Sequence, residues 1–109
     1  MDEIKFDDFA KVEFKVGEIK KCEKVEESEK LLRMEVDFGE KTLRVVYAGI
    51  AKNYNPDNLI GKKTVFVTNV KPRKIMGELS EAMIFAGSSE EEVSILLLDK
   101  DLPVGAEVY

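Results

Sequence analysis

Residues 12–19 read VEFKVGEI, and this stretch decides the fold. Apolar side chains alternate in it with charged ones, at Val12, Phe14 and Val16. Alternation with a period of two is typical of a β-strand that buries one face. The phase then shifts across Gly17 to Ile19, and one extra residue with a glycine at the shift indicates a β-bulge. We therefore predict a long first strand that bends.

The same two-residue period predicts most of the remaining structure. Residues 31–48 hold two alternating runs around a turn at 39–41, which predicts a hairpin of the second and third strands. Further apolar runs predict four later strands, over 64–70, 82–87, 88–99 and 102–108. Helical character is weak and is confined to one turn within 7–12 and a link over 49–62 after the third strand.

This pattern predicts an all-β domain with about five core strands. A bent first strand and a helical link after the third strand suit the OB-fold, a five-stranded Greek-key barrel that binds oligonucleotides or oligosaccharides. An SH3-like barrel or a small sandwich also fits the strand count. At 109 residues we expect one domain, with the barrel over about 12–87 and extension strands over 88–109.

The composition argues against catalysis. Cys22 is the one cysteine and histidine is absent, which excludes a disulfide framework, a cysteine-rich zinc site and imidazole chemistry. The P-loop, dinucleotide-binding and nucleophile-elbow motifs are missing. We therefore predict no enzyme activity, no catalytic residue, no metal and no cofactor.

The N-terminus and the hydropathy pattern indicate a cytoplasmic protein without a membrane partner. No apolar run approaches the ~18–20 residues that a membrane helix requires. Residues 1–12 are acidic and lack the apolar core of a signal peptide. The starting methionine and the short tail favour a complete stand-alone chain, although an excised domain would look the same.

Charge is distributed very unevenly along the chain, whose net charge is −5. Residues 1–40 carry −5, residues 41–77 carry +7 and residues 78–109 carry −7. A basic centre in an otherwise acidic chain indicates a surface for a polyanion. The other interpretation is a solvated basic face paired with neighbouring acids, and charge alone does not separate the two.

The basic residues concentrate at the end of the predicted fourth strand. Asn69, Lys71 and Arg73 fall on one side at strand spacing, and Pro72 ends the ladder there. Lysine offers a phosphate a point charge and arginine offers it a two-pronged donor. The amide of Asn69 has a donor and an acceptor for a base edge. Alternatively, Asn69 caps its own turn.

Four segments together resemble the tRNA-binding domain family, over nearly the whole chain and in order. They are DFAKVEFKVGEI at 8–19, SEKLLRMEVDFG at 28–39, AGI at 48–50 and LIGKKTVFVTNVKPRKIMGELSEAM at 59–83. The family includes the C-terminal domain of many methionyl-tRNA synthetases, stand-alone dimeric tRNA-binding proteins, CsaA-like export chaperones and the EMAP II-like cytokine module. The resemblance implies an OB-fold and structure-dependent tRNA binding without enzyme activity.

The resemblance also implies which residues bind RNA. The family's Asn-x-Lys-Pro, Gly-x-x-Ser-x-Gly-Met and Ser-x-Lys-Leu-Leu signatures fall on Asn69, Lys71 and Pro72, on Gly77, Ser80 and Met83, and on Ser28, Lys30, Leu31 and Leu32. With the basic stretch, the expected RNA-binding residues are Lys30, Asn69, Lys71, Arg73, Lys74, Ser80 and Met83. Core packing in the fifth strand is the alternative for Met83, and Tyr54 is a further candidate for stacking on a base.

Two positions depart from the family pattern. Ala48 stands where a serine is usual, which removes one possible hydrogen bond. Ala82 stands where a glycine is usual, and alanine does not adopt a positive φ cheaply. We expect these changes to affect RNA affinity or preference more than the fold.

The last segment suggests a partner. Residues 95–98 read ILLL, which is too apolar for an exposed edge strand. In the family this region and the N-terminal segment form a homodimer interface, and the resemblance implies the same here. Alternatively, residues 93–108 close over their own barrel.

The function expected from the sequence is that of the tRNA-binding domain or beta subunit of a methionyl-tRNA synthetase, with tRNA and the catalytic chain as partners. One rival is a CsaA-like protein-binding export chaperone that uses an apolar dimer groove. Another is an oligosaccharide-binding OB module.

Overall fold

The computed structural model of the chain describes residues 1–109, and its regular secondary structure is almost entirely β-strand. In chain order its elements are α1 Phe6–Phe9, β1 Phe14–Lys24, β2 Leu32–Asp37, β3 Arg44–Ala48, a 3₁₀ turn Pro56–Asn58, β4 Lys63–Val67, β5 Arg73–Ile75, β6 Glu78–Ser80, β7 Met83–Ile84, β8 Ala86–Ser88, β9 Val93–Ile95 and β10 Glu107–Val108. None of the helices is long or apolar enough to cross a membrane.

One antiparallel sheet curls into a nearly closed barrel in the strand order β3-β2-β1-β4-β7. The long β1 pairs with β4 through its first half and with β2 through its second half, and β10 pairs with its first two residues. The barrel closes where the chain after β6 meets β3. There Glu81 N–H donates to Val45 O at 2.8 Å, and Glu81 Oε1 accepts from Val45 N–H at 3.1 Å. The all-β class and the barrel are confirmed.

The bend in β1 has a different origin from the one predicted. The register of β1 against β2 shifts between Ile19 and Lys21, so the predicted bulge at Gly17 is wrong in position. Gly17 allows a close approach instead. A Cβ there would lie 2.6 Å from Phe38 Cε1 and 2.7 Å from Val36 Cγ1. The side chains of β2 and the residue after it therefore pack directly on the backbone of β1.

The core follows the alternation of β2 as predicted. Leu32, Met34 and Val36 are fully buried, whereas the residues between them are half-buried on the outer face. Phe38 and Phe66 meet edge to face inside the barrel, with ring centroids 5.1 Å apart. Aromatic pairs in this geometry stabilise a core beyond the area they bury.

The second half of the chain is more broken than predicted. The predicted strand at 82–87 divides into β7 and β8, and the strands predicted at 88–99 and 102–108 shrink to β9 and β10. The link over 49–62 contains only a single 3₁₀ turn. One feature was not predicted, the separate hairpin that β5 and β6 form. Its turn is Met76-Gly77, and both residues have positive φ, 52° and 80°.

Gly17→Ala is expected to destabilise the fold. The added methyl group would overlap Phe38 and Val36, and overpacking of a core costs about 1–3 kcal/mol. The free energy of unfolding from urea titration measures this loss. The matched control is Gly87→Ala in β8, where an added Cβ would meet no atom within 4 Å. Equal effects of the two substitutions would contradict the close approach at β1.

Candidate nucleic-acid interface

The hairpin of β5 and β6 and the segment before it carry three free cations. Lys71, Arg73 and Lys74 are exposed. None of them forms an ion pair with a carboxylate within 4.0 Å. In a chain with a net charge of −5, unpaired cations side by side form a local attraction for an anion.

Two of these cations line a cavity of about 320 Å³ between the hairpin and the C-terminal end of β3. Nine of its thirteen lining residues are hydrophobic, Lys71 and Arg73 are the only charged ones, and no carboxylate lines it. Ser80 and Met83 also belong to the wall. Four of the seven sequence-predicted residues therefore meet at one place.

The remaining three predicted residues lie outside the cavity. Lys74 is exposed on β5, opposite Leu79 of β6. Lys30 is exposed in the loop between β1 and β2, and its carbonyl accepts from Ala51 N–H at 3.0 Å. The RNA-binding role of both stays a prediction.

Asn69, the third of these, ties the N-terminal segment to the end of β4. Its Oδ1 accepts from Glu13 N–H at 2.8 Å, and its Nδ2 donates to Lys11 O at 2.7 Å. The interpretation that Asn69 caps its own turn is therefore wrong, since its partners lie more than fifty residues away in sequence. The Asn69 amide could bind a base edge only if these two hydrogen bonds were broken.

Ser80 and Met83 present different groups to the cavity. Ser80 is 7% exposed, and its Oγ accepts from Tyr47 N–H at 3.0 Å, which attaches β6 to β3. Met83 pairs with Val67 in the barrel but is 48% exposed, so core packing does not describe it.

Of the two tyrosines near the site, it is Tyr47 that lines the cavity. Tyr54 is committed elsewhere, because its hydroxyl accepts from Ile95 N–H at 2.9 Å and holds β9 against the barrel. Little in the sequence distinguishes Tyr47 beyond its place in β3 immediately before Ala48.

An ion-pair network fixes the hairpin on the barrel. Arg33 of β2 donates to both oxygens of Glu78, from Nε at 2.7 Å and from Nη2 at 3.0 Å, and also to Glu35 at 2.7 Å. Tyr47 Oη donates to Glu78 Oε1 at 2.8 Å. Hydrogen bonds from Arg33 and then Tyr47 lower the pKa of Glu78 from 4.5 to about 2, and the two glutamates raise the pKa of Arg33 above its usual range. Sequence reasoning missed this network, since β6 itself was not predicted.

Other reactive or metal-binding groups do not gather near the cavity. Cys22 lies in the core of the barrel, where burial, and to a lesser extent Glu23, raises the pKa of its thiol to about 11. A thiol with so high a pKa is a poor nucleophile at neutral pH. No three His, Cys, Asp or Glu side chains are placed together to hold a metal ion.

Glu78→Gln is expected to loosen the hairpin in a pH-dependent way. Because folding lowers the pKa of Glu78, its contribution to stability is present above about pH 4.5 and disappears as the pH falls toward 2. Thermal melts of wild type and E78Q should therefore differ at pH 7 and converge near pH 2. Glu90→Gln, in an exposed turn without an ion pair, is the control. A difference that persists at pH 2, or an equal effect of Glu90→Gln, would contradict this role.

Comparison with known proteins confirms the resemblance. The family model described as a putative tRNA binding domain matches residues 14–107. The chain is 46% identical over 107 residues to a methionine–tRNA ligase of Halalkalibacterium halodurans, which covers 98% of this chain but only 16% of that protein. The chain thus spans a small part of the length of this curated relative.

Two solved structures have the same extent and the same fold as this chain. A MetRS related protein from Pyrococcus horikoshii is 38% identical, with a TM-score of 0.91 and complete coverage of both chains. The chaperone CsaA from Bacillus anthracis is 30% identical, with a TM-score of 0.88 and coverage of 99% of this chain and 100% of its own. On the evidence of the matched family model, the barrel and these relatives, the chain belongs to the tRNA-binding domain family.

Proposed function

We propose that this chain is a non-catalytic tRNA-binding module that acts in the cytoplasm with a methionyl-tRNA synthetase catalytic chain, as its domain or beta subunit. The observation that carries the proposal is the set of unpaired cations Lys71, Arg73 and Lys74 on an otherwise acidic chain, beside a cavity that no carboxylate lines. The similarity to a methionine–tRNA ligase supports the choice of partner.

The proposed mechanism is electrostatic attachment rather than chemistry. The three cations neutralise backbone phosphates, and each neutralised phosphate releases condensed counterions. When the module is attached to a catalytic chain, a tRNA bound to the module meets the catalytic chain intramolecularly. This raises the effective concentration of the tRNA at the active site. Contacts of this kind carry little sequence information, so different tRNA species bind with similar affinity.

A second candidate function is peptide binding, because the CsaA chaperone shares the fold. One observation favours it. A second cavity, of about 470 Å³, lies between the N-terminal segment and the C-terminal strand and is lined by Phe6, Phe9, Phe14, Val108 and Tyr109 among others. Peptide binding there predicts an affinity that hardly changes with salt and does not depend on Lys71 or Arg73.

We also propose that the chain forms a homodimer through the N-terminal segment and residues 88–109. Large apolar side chains are exposed on both segments, among them Ile4, Phe6, Leu96 and Leu97 at 69%, 77%, 45% and 61%. Exposed apolar area of this kind typically marks an interface. Only Ile95 of the ILLL run is buried in its own chain.

Lys71→Ala and Arg73→Ala are each expected to weaken tRNA binding by about 1–3 kcal/mol, because each removes a charge-assisted contact. Wild type with about three to five phosphate contacts should show a log–log salt slope of roughly −3 to −5, and each substitution should reduce the slope by about one. Filter binding or fluorescence anisotropy at several salt concentrations measures both quantities.

The control for this experiment is Lys100→Ala, which removes an exposed lysine from the acidic third of the chain. It should leave affinity and slope unchanged. Wild-type affinity in the Lys71 and Arg73 variants, with unchanged thermal melts, would place the RNA face elsewhere. A flat salt response would reject the phosphate mechanism.

For the homodimer, light scattering is expected to give about twice the chain mass of 12.3 kDa at micromolar concentration. Leu97→Glu should shift the equilibrium toward the monomer, since it places a charge in the apolar contact. Leu79→Glu is the matched control, because Leu79 is similarly exposed, at 53%, but lies on the hairpin. A mass of one chain at every concentration tested would refute the dimer.

A further inference from the structure

The cavity beside the hairpin combines two features that one kind of ligand satisfies. Its walls are largely apolar, with Ile75 and Ile84 among the lining residues, whereas its only charges are those of Lys71 and Arg73. A ligand that fits must offer a compact apolar group attached to an anion. Its volume of about 320 Å³ is at the lower end of the roughly 300–1,000 Å³ typical of small-molecule sites, so one such group fills it.

The neutral polar side chains of the wall form hydrogen bonds within the protein. Tyr47 Oη donates to Glu78, and Ser80 Oγ accepts from the Tyr47 amide. The exceptions are the charged side chains Lys71 and Arg73, neither of which pairs with a carboxylate. A ligand with an anionic group on a flat apolar body would satisfy them.

A nucleotide has all of these features. We propose that the cavity takes one unstacked nucleotide from a single-stranded part of a bound RNA, with its base against the apolar wall and its phosphates on Lys71 and Arg73. This inference rests on the proposed tRNA binding and specifies which feature of the RNA the site accepts. Nine of the thirteen lining residues are hydrophobic, so the site holds a base chiefly by shape and apolar contact.

The concave shape decides between single-stranded and paired RNA. In an A-form helix the bases are stacked inside and their faces are covered, so no base of a duplex can pack its face against the apolar wall. Single-stranded loops and ends present bases that leave the stack and pack on protein side chains. Met83, which is half-exposed on the wall, provides a flexible apolar surface for such a base.

The test uses the full chain and a uridine-rich RNA hexamer with 2-aminopurine at one internal position. The emission of 2-aminopurine rises when the base leaves its stack. We expect the hexamer to bind with increased emission and to compete with bulk tRNA. A blunt-ended, GC-rich RNA duplex that stays paired at the assay temperature is expected to compete at least tenfold less well.

Variants at Met83 distinguish the cavity from the phosphate contacts. Met83→Ala should weaken hexamer binding about three- to tenfold, because it removes part of the surface on which the base packs. Met83→Leu should restore most of the affinity. The matched control is Met76→Ala, since Met76 is similarly exposed, at 46%, in the turn of the neighbouring hairpin but does not line the cavity.

The outcomes separate this inference from the proposed function. If tRNA binds but the duplex competes as well as the hexamer, or if Met83→Ala weakens the hexamer no more than Met76→Ala, the cavity proposal is overturned and tRNA binding stands. If neither tRNA nor the hexamer binds at low salt, the proposed tRNA binding is refuted, and the cavity proposal with it. An acidic peptide with one aromatic residue that binds with the same Met83 dependence and displaces the hexamer would also overturn the cavity proposal.

Discussion

The bidentate ion pair between Arg33 and Glu78 is the interaction on which the site depends. The β5–β6 hairpin has only three residue pairs and forms its own two-stranded sheet. A hairpin this short is not stable by itself in water. The pair joins its second strand to the outer face of β2, while Tyr47 and Ser80 attach it to β3. Together these contacts position Arg73, the first residue of the hairpin, beside the cavity.

Two acids lie near the site. Glu78 and Glu81 lie next to the cavity in sequence and would repel phosphates if their charges were free. Arg33 pairs with Glu78 directly and also with Glu23 and Glu35. Arg44 binds the backbone at Glu81, where its Nη1 donates to Thr68 O at 2.7 Å and to Glu81 O at 3.2 Å. Both glutamates bind within the protein, Glu78 to Arg33 and Glu81 to the Val45 amide, and neither pairs with Lys71, Arg73 or Lys74.

Sequence reasoning succeeded where the signal was local. The period of two in β2 and the turn before β3 predicted a hairpin that the structure contains, and the charge distribution located the basic segment. It failed where partners are distant. The hairpin turn at Met76-Gly77 lacks the Asn-Gly or Asp-Gly signal that such a turn usually carries. Without β6, the partner of Arg33 could not be found. The amide of Asn69 bonds to backbone more than fifty residues away, which spacing in one sequence does not predict.

The two departures from the family pattern have a place in this picture. Ala48 and Ala82 are both buried, at 6% and 2% exposure, and both line the cavity. Alanine at position 82 does not strain the loop, because its φ is not positive. Met76 is the one non-glycine residue with a positive φ. Compared with serine, alanine at position 48 lacks a hydroxyl and makes the cavity wall more apolar. Compared with glycine, alanine at position 82 adds a methyl group and narrows the cavity. Both positions therefore lie where a change of residue alters the shape and polarity of the cavity, and their effect on RNA affinity stays a prediction.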